Sequence, residues 1–139
     1  MMNIYVYMGL VVLFFIACYF GWKYKPIRMN KSYFYDSWKV LQKLLVDKKT
    51  WAQSIMSADK LLDEALKKRH FKGKSMGERM VSAQRHIKDN DGVWFAHKLS
   101  SKLESHPRTR LNKTDTKEAL TAIKKALQDL GALPSDKRK

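Results

Sequence analysis

Apolar and polar positions along this chain follow two unlike patterns, and the change falls near residue 23. Ile4 to Trp22 form an unbroken, largely apolar run of 19 residues, and the first 22 residues contain no Lys, Arg, Asp or Glu. At about 1.5 Å of rise per helical residue, such a run reaches roughly 28 Å, close to the hydrocarbon thickness of a bilayer. It reads as one spanning helix. From residue 32 onward, apolar residues recur at intervals of three and four instead of two, which predicts helices throughout.

The spacing and the capping signals divide that second stretch. A first helix is expected from Ser32 to about Asp47, with Phe34, Trp38, Leu41 and Leu45 on one face. A second, from about Thr50 to Lys68, carries Trp51, Ile55, Ala58, Leu62 and Leu66 in register, and Gly73 breaks the chain after it. Ser75 and Glu78 match a capping box, so a third helix is expected from Met76 to Ile87. Asp91 in the turn cluster Asp89-Asn90-Asp91-Gly92 is the expected cap of a fourth helix that stops before Pro107. Thr114 is the expected cap of a fifth, closing at Gly131. The fold class is therefore all-α: an N-terminal single transmembrane helix followed by a five-helix bundle. The domains are an anchor over 1–22, a basic juxtamembrane linker over 23–31, a bundle over 32–133 and a basic tail over 134–139.

Charge orients the anchor. Tyr5 and Tyr7 lie near one end, and Tyr19, Trp22 and Tyr24 near the other, as expected of rings at headgroup depth. Only Met1, Met2 and Asn3 precede the run, whereas Lys23, Lys25, Arg28 and Lys31 follow it. That asymmetry predicts an outside N-terminus and a cytoplasmic C-terminal domain. A cleaved signal would need a positively charged start, which is absent, and a small-residue cleavage site, for which Tyr19-Phe20-Gly21-Trp22 serves poorly. A lipoprotein reading would use Cys18, but Phe15 fits that pattern badly. Cys18 is the single cysteine, so neither a disulfide framework nor a cysteine metal site is expected.

The chain carries 28 Lys and Arg against 13 Asp and Glu, a net charge of +15. All of it falls in 23–139. Lys67, Lys68, Arg69, Lys72 and Lys74 cluster around the loop between the second and third helices. Arg108, Arg110 and Lys113 form a second patch, and Lys137, Arg138 and Lys139 a third. Together with Lys23, Lys25, Arg28 and Lys31, the first patch is the candidate contact for phosphate, in lipid headgroups or nucleic acid. Binding single-stranded bases would call for exposed aromatics between the cations, and apart from Phe71 the aromatics fall on inward faces. The balance therefore favours anionic lipid over nucleic acid.

Candidate chemistry is sparse. His97 stands four residues from Ser101 and seven from Glu104, and His106 follows, so a polar site of His97, Ser101 and His106 is geometrically accessible. A hydrolase would need an oxyanion hole as well, and an interhelical or capping hydrogen bond from His97 is the simpler expectation. His70, His86, His97 and His106 show no ligand spacing, so no metal is expected. Gly73-Lys74-Ser75 lacks the upstream glycine of a phosphate loop. Glu78 is explained by the capping box, and Arg79 by pairing with Asp59 or Asp63; Arg79 and His86, seven apart on the expected third helix, share a face and could cooperate, but a chain with 28 basic residues contains such a string by chance. No catalytic residue and no cofactor is expected.

Several fragments are familiar in combination: Trp51, Ala58-Asp59-Lys60-Leu61-Leu62-Asp63, Gly73, Met76-Gly77-Glu78-Arg79-Met80, Trp94-Phe95-Ala96-His97-Lys98-Leu99 and Leu127 to Leu133. In this order the chain resembles a group of uncharacterised bacterial proteins that look like HEPN domains, over about residues 38 to 133. The resemblance implies a bundle of four or five helices that often dimerises, and in many members a metal-independent ribonuclease using an Arg and a His. In that group Arg-Asn directly follows the Ala-His-Lys-Leu stretch, with a His a few residues later. Here Ser100 and Ser101 stand at those positions, Ser105 at the later one, and His106 one place on. Lys102, four before His106, lacks the two-pronged donor geometry of a guanidinium. The resemblance thus implies the fold without the nuclease pair.

The expectation is a bacterial inner-membrane, single-pass protein with a cytoplasmic bundle that binds or scaffolds an unidentified protein partner, possible homodimers included. A membrane-tethered RNA-binding protein or degenerate ribonuclease, and a small-molecule or nucleotide sensor, are the alternatives.

Overall fold

A computed structural model of the chain describes residues 3–23 and 28–136. Lys25 and Pro26 of the linker and the patch Lys137-Arg138-Lys139 lie outside the described residues. Among the described residues there are six α-helices and no strand: α1 (Ile4–Lys23), α2 (Lys31–Leu44), α3 (Trp51–Lys68), α4 (Met76–Ser82), α5 (Asn90–Ser105) and α6 (Lys113–Asp129). A short 3-10 turn, Lys48–Thr50, leads into α3. α1 is long and apolar enough to cross a membrane, with a mean hydropathy of 2.2 over its most apolar 18-residue window, and none of its residues is buried.

α3 is the central helix; α2, α4, α5 and α6 all pack on it. Its buried residues Ile55, Leu62 and Leu66 meet Phe34, Trp38 and Leu41 of α2, Val93 and Leu103 of α5, and Ile123 and Leu127 of α6 in one core. α5 and α6 approach closely because small residues line the contact. A side chain on Gly92 would run into the Asp89 carboxylate and meet the Ala122 methyl at 2.9 Å.

The helix ends depart from the sequence expectations where a polar side chain outcompetes the apparent signal. α2 is capped by Asn30, two residues ahead of Ser32, whose side-chain oxygen accepts from the Tyr33 N–H at 3.2 Å. Asp89 caps α5 in place of Asp91, accepting from the Gly92 N–H at 3.0 Å. Asn112 caps α6 in place of Thr114, accepting from the Asp115 N–H at 2.6 Å. Ser75 caps α4 as expected, accepting from the Glu78 N–H at 3.2 Å, while Glu78 accepts from the Lys74 N–H at 2.7 Å. α4 then stops at Ser82, short of Ile87. The Ser82 hydroxyl donates to the Lys72 carbonyl, and the Asn90 amide donates to the Gln84 and Ile87 carbonyls, fixing a tight turn there.

α3 ends before Gly73, through His70 in the left-handed region (φ 58°). The Phe71 N–H donates to the Leu66 carbonyl and the His70 N–H to the Lys67 carbonyl, a Schellman closure with histidine where glycine is usual. A Cβ in that conformation is strained by about 1–2 kcal/mol. His70→Gly is therefore expected to raise stability by about 0.5–1 kcal/mol after the glycine's larger unfolded-state entropy is subtracted. Thermal unfolding followed by circular dichroism reads the shift; an unchanged or lowered midpoint would contradict the strain.

Candidate functional site

Two acids one turn apart on α3, Asp59 and Asp63, organise the most polar part of the interior. Asp59 sits on the apolar stripe between Ile55 and Leu62 and is only 7% exposed. An ionised carboxylate there requires a partner. α5 supplies it: His97 Nδ1 lies 3.0 and 3.2 Å from the two Asp59 oxygens. The Trp94 ring stands edge-on to the imidazole at 6.1 Å and also packs near Gly77 at the start of α4.

Asp63 faces α4. Arg79 donates to it through Nε at 2.7 Å and through Nη2 at 2.9 Å, a two-pronged pair. The same guanidinium donates from Nη1 to the Gly73 carbonyl at 3.0 Å, closing the α3–α4 loop. Lys67 approaches Asp63 at 3.5 Å from the solvent side. The seam thus links α3, α4 and α5, and the fragments around Asp59–Asp63, Gly73, Gly77–Arg79 and Trp94–His97 converge on it.

Electrostatics follow the geometry. The Asp59 carboxylate raises the His97 imidazole above its ordinary value, against a smaller opposing effect of burial; Asp63 and Glu104 add to the rise. Burial pushes the Asp63 carboxyl up, but the Arg79 hydrogen bonds and charge, with Lys67, outweigh it and hold the group below the usual range. Asp63 in turn raises Arg79. Both pairs are matched internally, so the seam clamps helices together.

The remaining predicted site residues are scattered. Ser101 is exposed, and His106 caps the far end of α5, also exposed. His97 bonds to Asp59 instead of joining them. His86 lies beyond the end of α4 and packs against the Phe71 ring at 5.2 Å, so it shares no continuous helix with Arg79. Among the described residues, no three His, Cys, Asp or Glu side chains are grouped to hold a metal ion.

Of the candidate phosphate contacts, Lys23, Arg28, Lys31, Lys67, Lys68, Lys72 and Lys74 are exposed. Arg69 is half-buried and donates to the Leu130 carbonyl at 3.3 Å, compensating the C-terminal end of α6. Against the expectation that the aromatics other than Phe71 face inward, Tyr33 and Tyr35 of α2 are exposed and Trp51 and Trp94 only partly covered, while Phe71 is itself half-buried.

A second feature was not foreseen. α2 and α6 both pack on α3, and a groove of about 290 Å³ opens between them. Trp38, Leu45, Trp51 and Leu120 form its apolar floor, and Lys113, Lys117 and Lys124 of α6 stand on its rim. The Trp51 indole donates to the Leu45 carbonyl at 2.9 Å, fixing one wall. Lysines at 113, 117 and 124 share a helix face by spacing, which was the available signal.

The chain matches no protein-family model, no curated protein and no solved structure. Its function must be read from its own residues.

Proposed function

We propose that this chain is a single-pass membrane protein of a bacterial inner membrane, with its N-terminus outside and its bundle on the cytoplasmic side. There the bundle acts as a non-enzymatic binding or scaffolding module. The observation that carries this reading is α1: twenty residues, uncharged up to the terminal Lys23, and wholly uncovered by the bundle. In water such a helix would expose more apolar surface than a soluble chain tolerates. Lys23, Arg28 and Lys31 on its C-terminal side support the orientation.

Contact with anionic headgroups belongs to the same reading. α2 follows the anchor closely and presents Lys31, Tyr35, Lys39 and Lys43 on exposed positions, with the Lys39 ammonium over the Tyr35 ring at 4.4 Å. Each cation near an anionic leaflet is worth about 1 kcal/mol. The HEPN-like relationship is part of the proposal too, and what supports it is the order of the fragments that meet at the seam. The absence of enzymatic activity is supported by Ser100, which is 1% exposed where the resembling group carries arginine: a guanidinium there would need the core to repack.

The test uses the full chain with Cys18→Ser and Ser135→Cys. The protein is expected in the membrane pellet after alkaline washing, and a membrane-impermeant maleimide should label position 135 only after the cells are opened. Recovery in the supernatant would overturn the anchor, and labelling of intact cells would overturn the orientation.

A further inference from the structure

The α2–α6 groove has a definite chemistry. Its lining is two tryptophans, two leucines, three lysines and the uncharged Gln42, Thr116 and Thr121, with no carboxylate among the described residues. Lys113 and Lys117 have no acidic partner among the described residues, and Lys124 has only an exposed contact with Asp136 at 3.6 Å. On the α2 side of the groove, Trp38 carries a buried indole N–H with no acceptor among the described residues. The groove therefore asks for apolar bulk together with negative charge.

The spacing narrows the occupant. From Lys113 to Lys124 the helix rises about 16 Å, so the three ammoniums are spread along the groove. A single carboxylate or phosphate would meet one or two of them. A strand of RNA could follow the cations, but successive bases need successive open ring faces, and of the two tryptophans Trp38 is only 7% exposed, which leaves the half-buried Trp51 alone. A second copy of this chain would bring another +15 into contact. A helical segment with apolar residues at i, i+3, i+4 and i+7, flanked by acids, satisfies floor and rim together. We propose that the groove docks an acidic amphipathic helix of a protein partner. The inference rests on the binding-module reading above, and gives that module its contact surface.

The experiment places the full chain in nanodiscs of neutral phosphatidylcholine and titrates a fluorescent synthetic helical peptide with leucines at those spacings and glutamates elsewhere. Saturable binding is expected, weakened about tenfold or more by Lys113→Glu with Lys117→Glu. That double variant should instead bind the counterpart peptide in which lysines replace the glutamates. Arg85→Glu with Lys98→Glu makes the same net change at exposed sites elsewhere and should leave binding within about twofold. Equal weakening by both doubles would show attraction to overall charge and overturn the proposal. So would absence of peptide binding, or displacement of the peptide by oligouridylate of equal charge. Circular dichroism checks that the variants keep their helices. Entry into the discs reports on α1 separately, so failure of the anchor and failure of the groove are distinguishable.

Discussion

Replacing Arg79 with leucine is expected to destabilise the bundle by about 3 kcal/mol, the lower end of the range for breaking a buried ion pair. The lower end applies because the Asp63 side chain keeps 19% of its surface in contact with solvent and retains Lys67 at 3.5 Å. Three hydrogen bonds disappear together: two to Asp63 and one to the Gly73 carbonyl. The last matters because the loop is tight. Gly73 has φ of 156°, and a Cβ there would lie 2.6 Å from the Arg79 backbone nitrogen. For a domain of this size the midpoint should fall by about 10–20 °C. Asp63→Leu with Arg79→Leu should recover most of the loss, because neither charge is then stranded. Thermal melts of the full chain in mild detergent, read from near-ultraviolet tryptophan signals, decide it. If the double variant is no more stable than the single, the loss comes from packing and the ionic account fails.

How far this was legible beforehand depends on the range of the interaction. α1 declares itself in composition alone, since a run without charge needs no knowledge of any other segment. The Ser75 cap is local and was readable for the same reason. Arg79 could be narrowed to Asp59 or Asp63, because both acids lie one turn apart on one helix; the choice between them needed the crossing of α4 over α3. The Asp59–His97 pair spans 38 residues, and only the packing of α5 on α3 creates it. Its signals were Asp59 on an apolar stripe and the hydrogen bond expected of His97, neither of which names the other residue. The groove was hidden because it is a gap between α2 and α6, and periodicity reports which residues face inward without saying how far apart two helices stand.

The Asp59–His97 pair gives the second large effect, and it carries a pH signature. Asp59→Asn keeps the shape and one acceptor but removes the charge opposite the imidazole, and should cost about 1.5–3 kcal/mol near pH 6, the range for a hydrogen bond to a charged group. The folded-state imidazole is raised above its unfolded value, so the native state holds more protons than the unfolded chain between the two. Its stabilisation is fully present below about pH 6.5, the unfolded value, and is lost as pH rises through the folded one. Asp63 acts oppositely: its carboxyl is lowered, so its contribution is present above about pH 3.9 and is lost as pH falls further. Wild-type stability should therefore decline on the alkaline side of pH 6.5, and Asp59→Asn should flatten that limb while leaving the acid limb in place. Urea unfolding across about pH 2 to 9 measures both limbs. An alkaline limb that is unchanged in Asp59→Asn would overturn Asp59 as its source, leaving it to Asp63 and Glu104, which also raise His97 and are intact in that variant, or to another group. A seam whose strength depends on protonation in this way holds α5 to α3 most firmly in mildly acidic conditions, and loosens that contact first as the surroundings become basic.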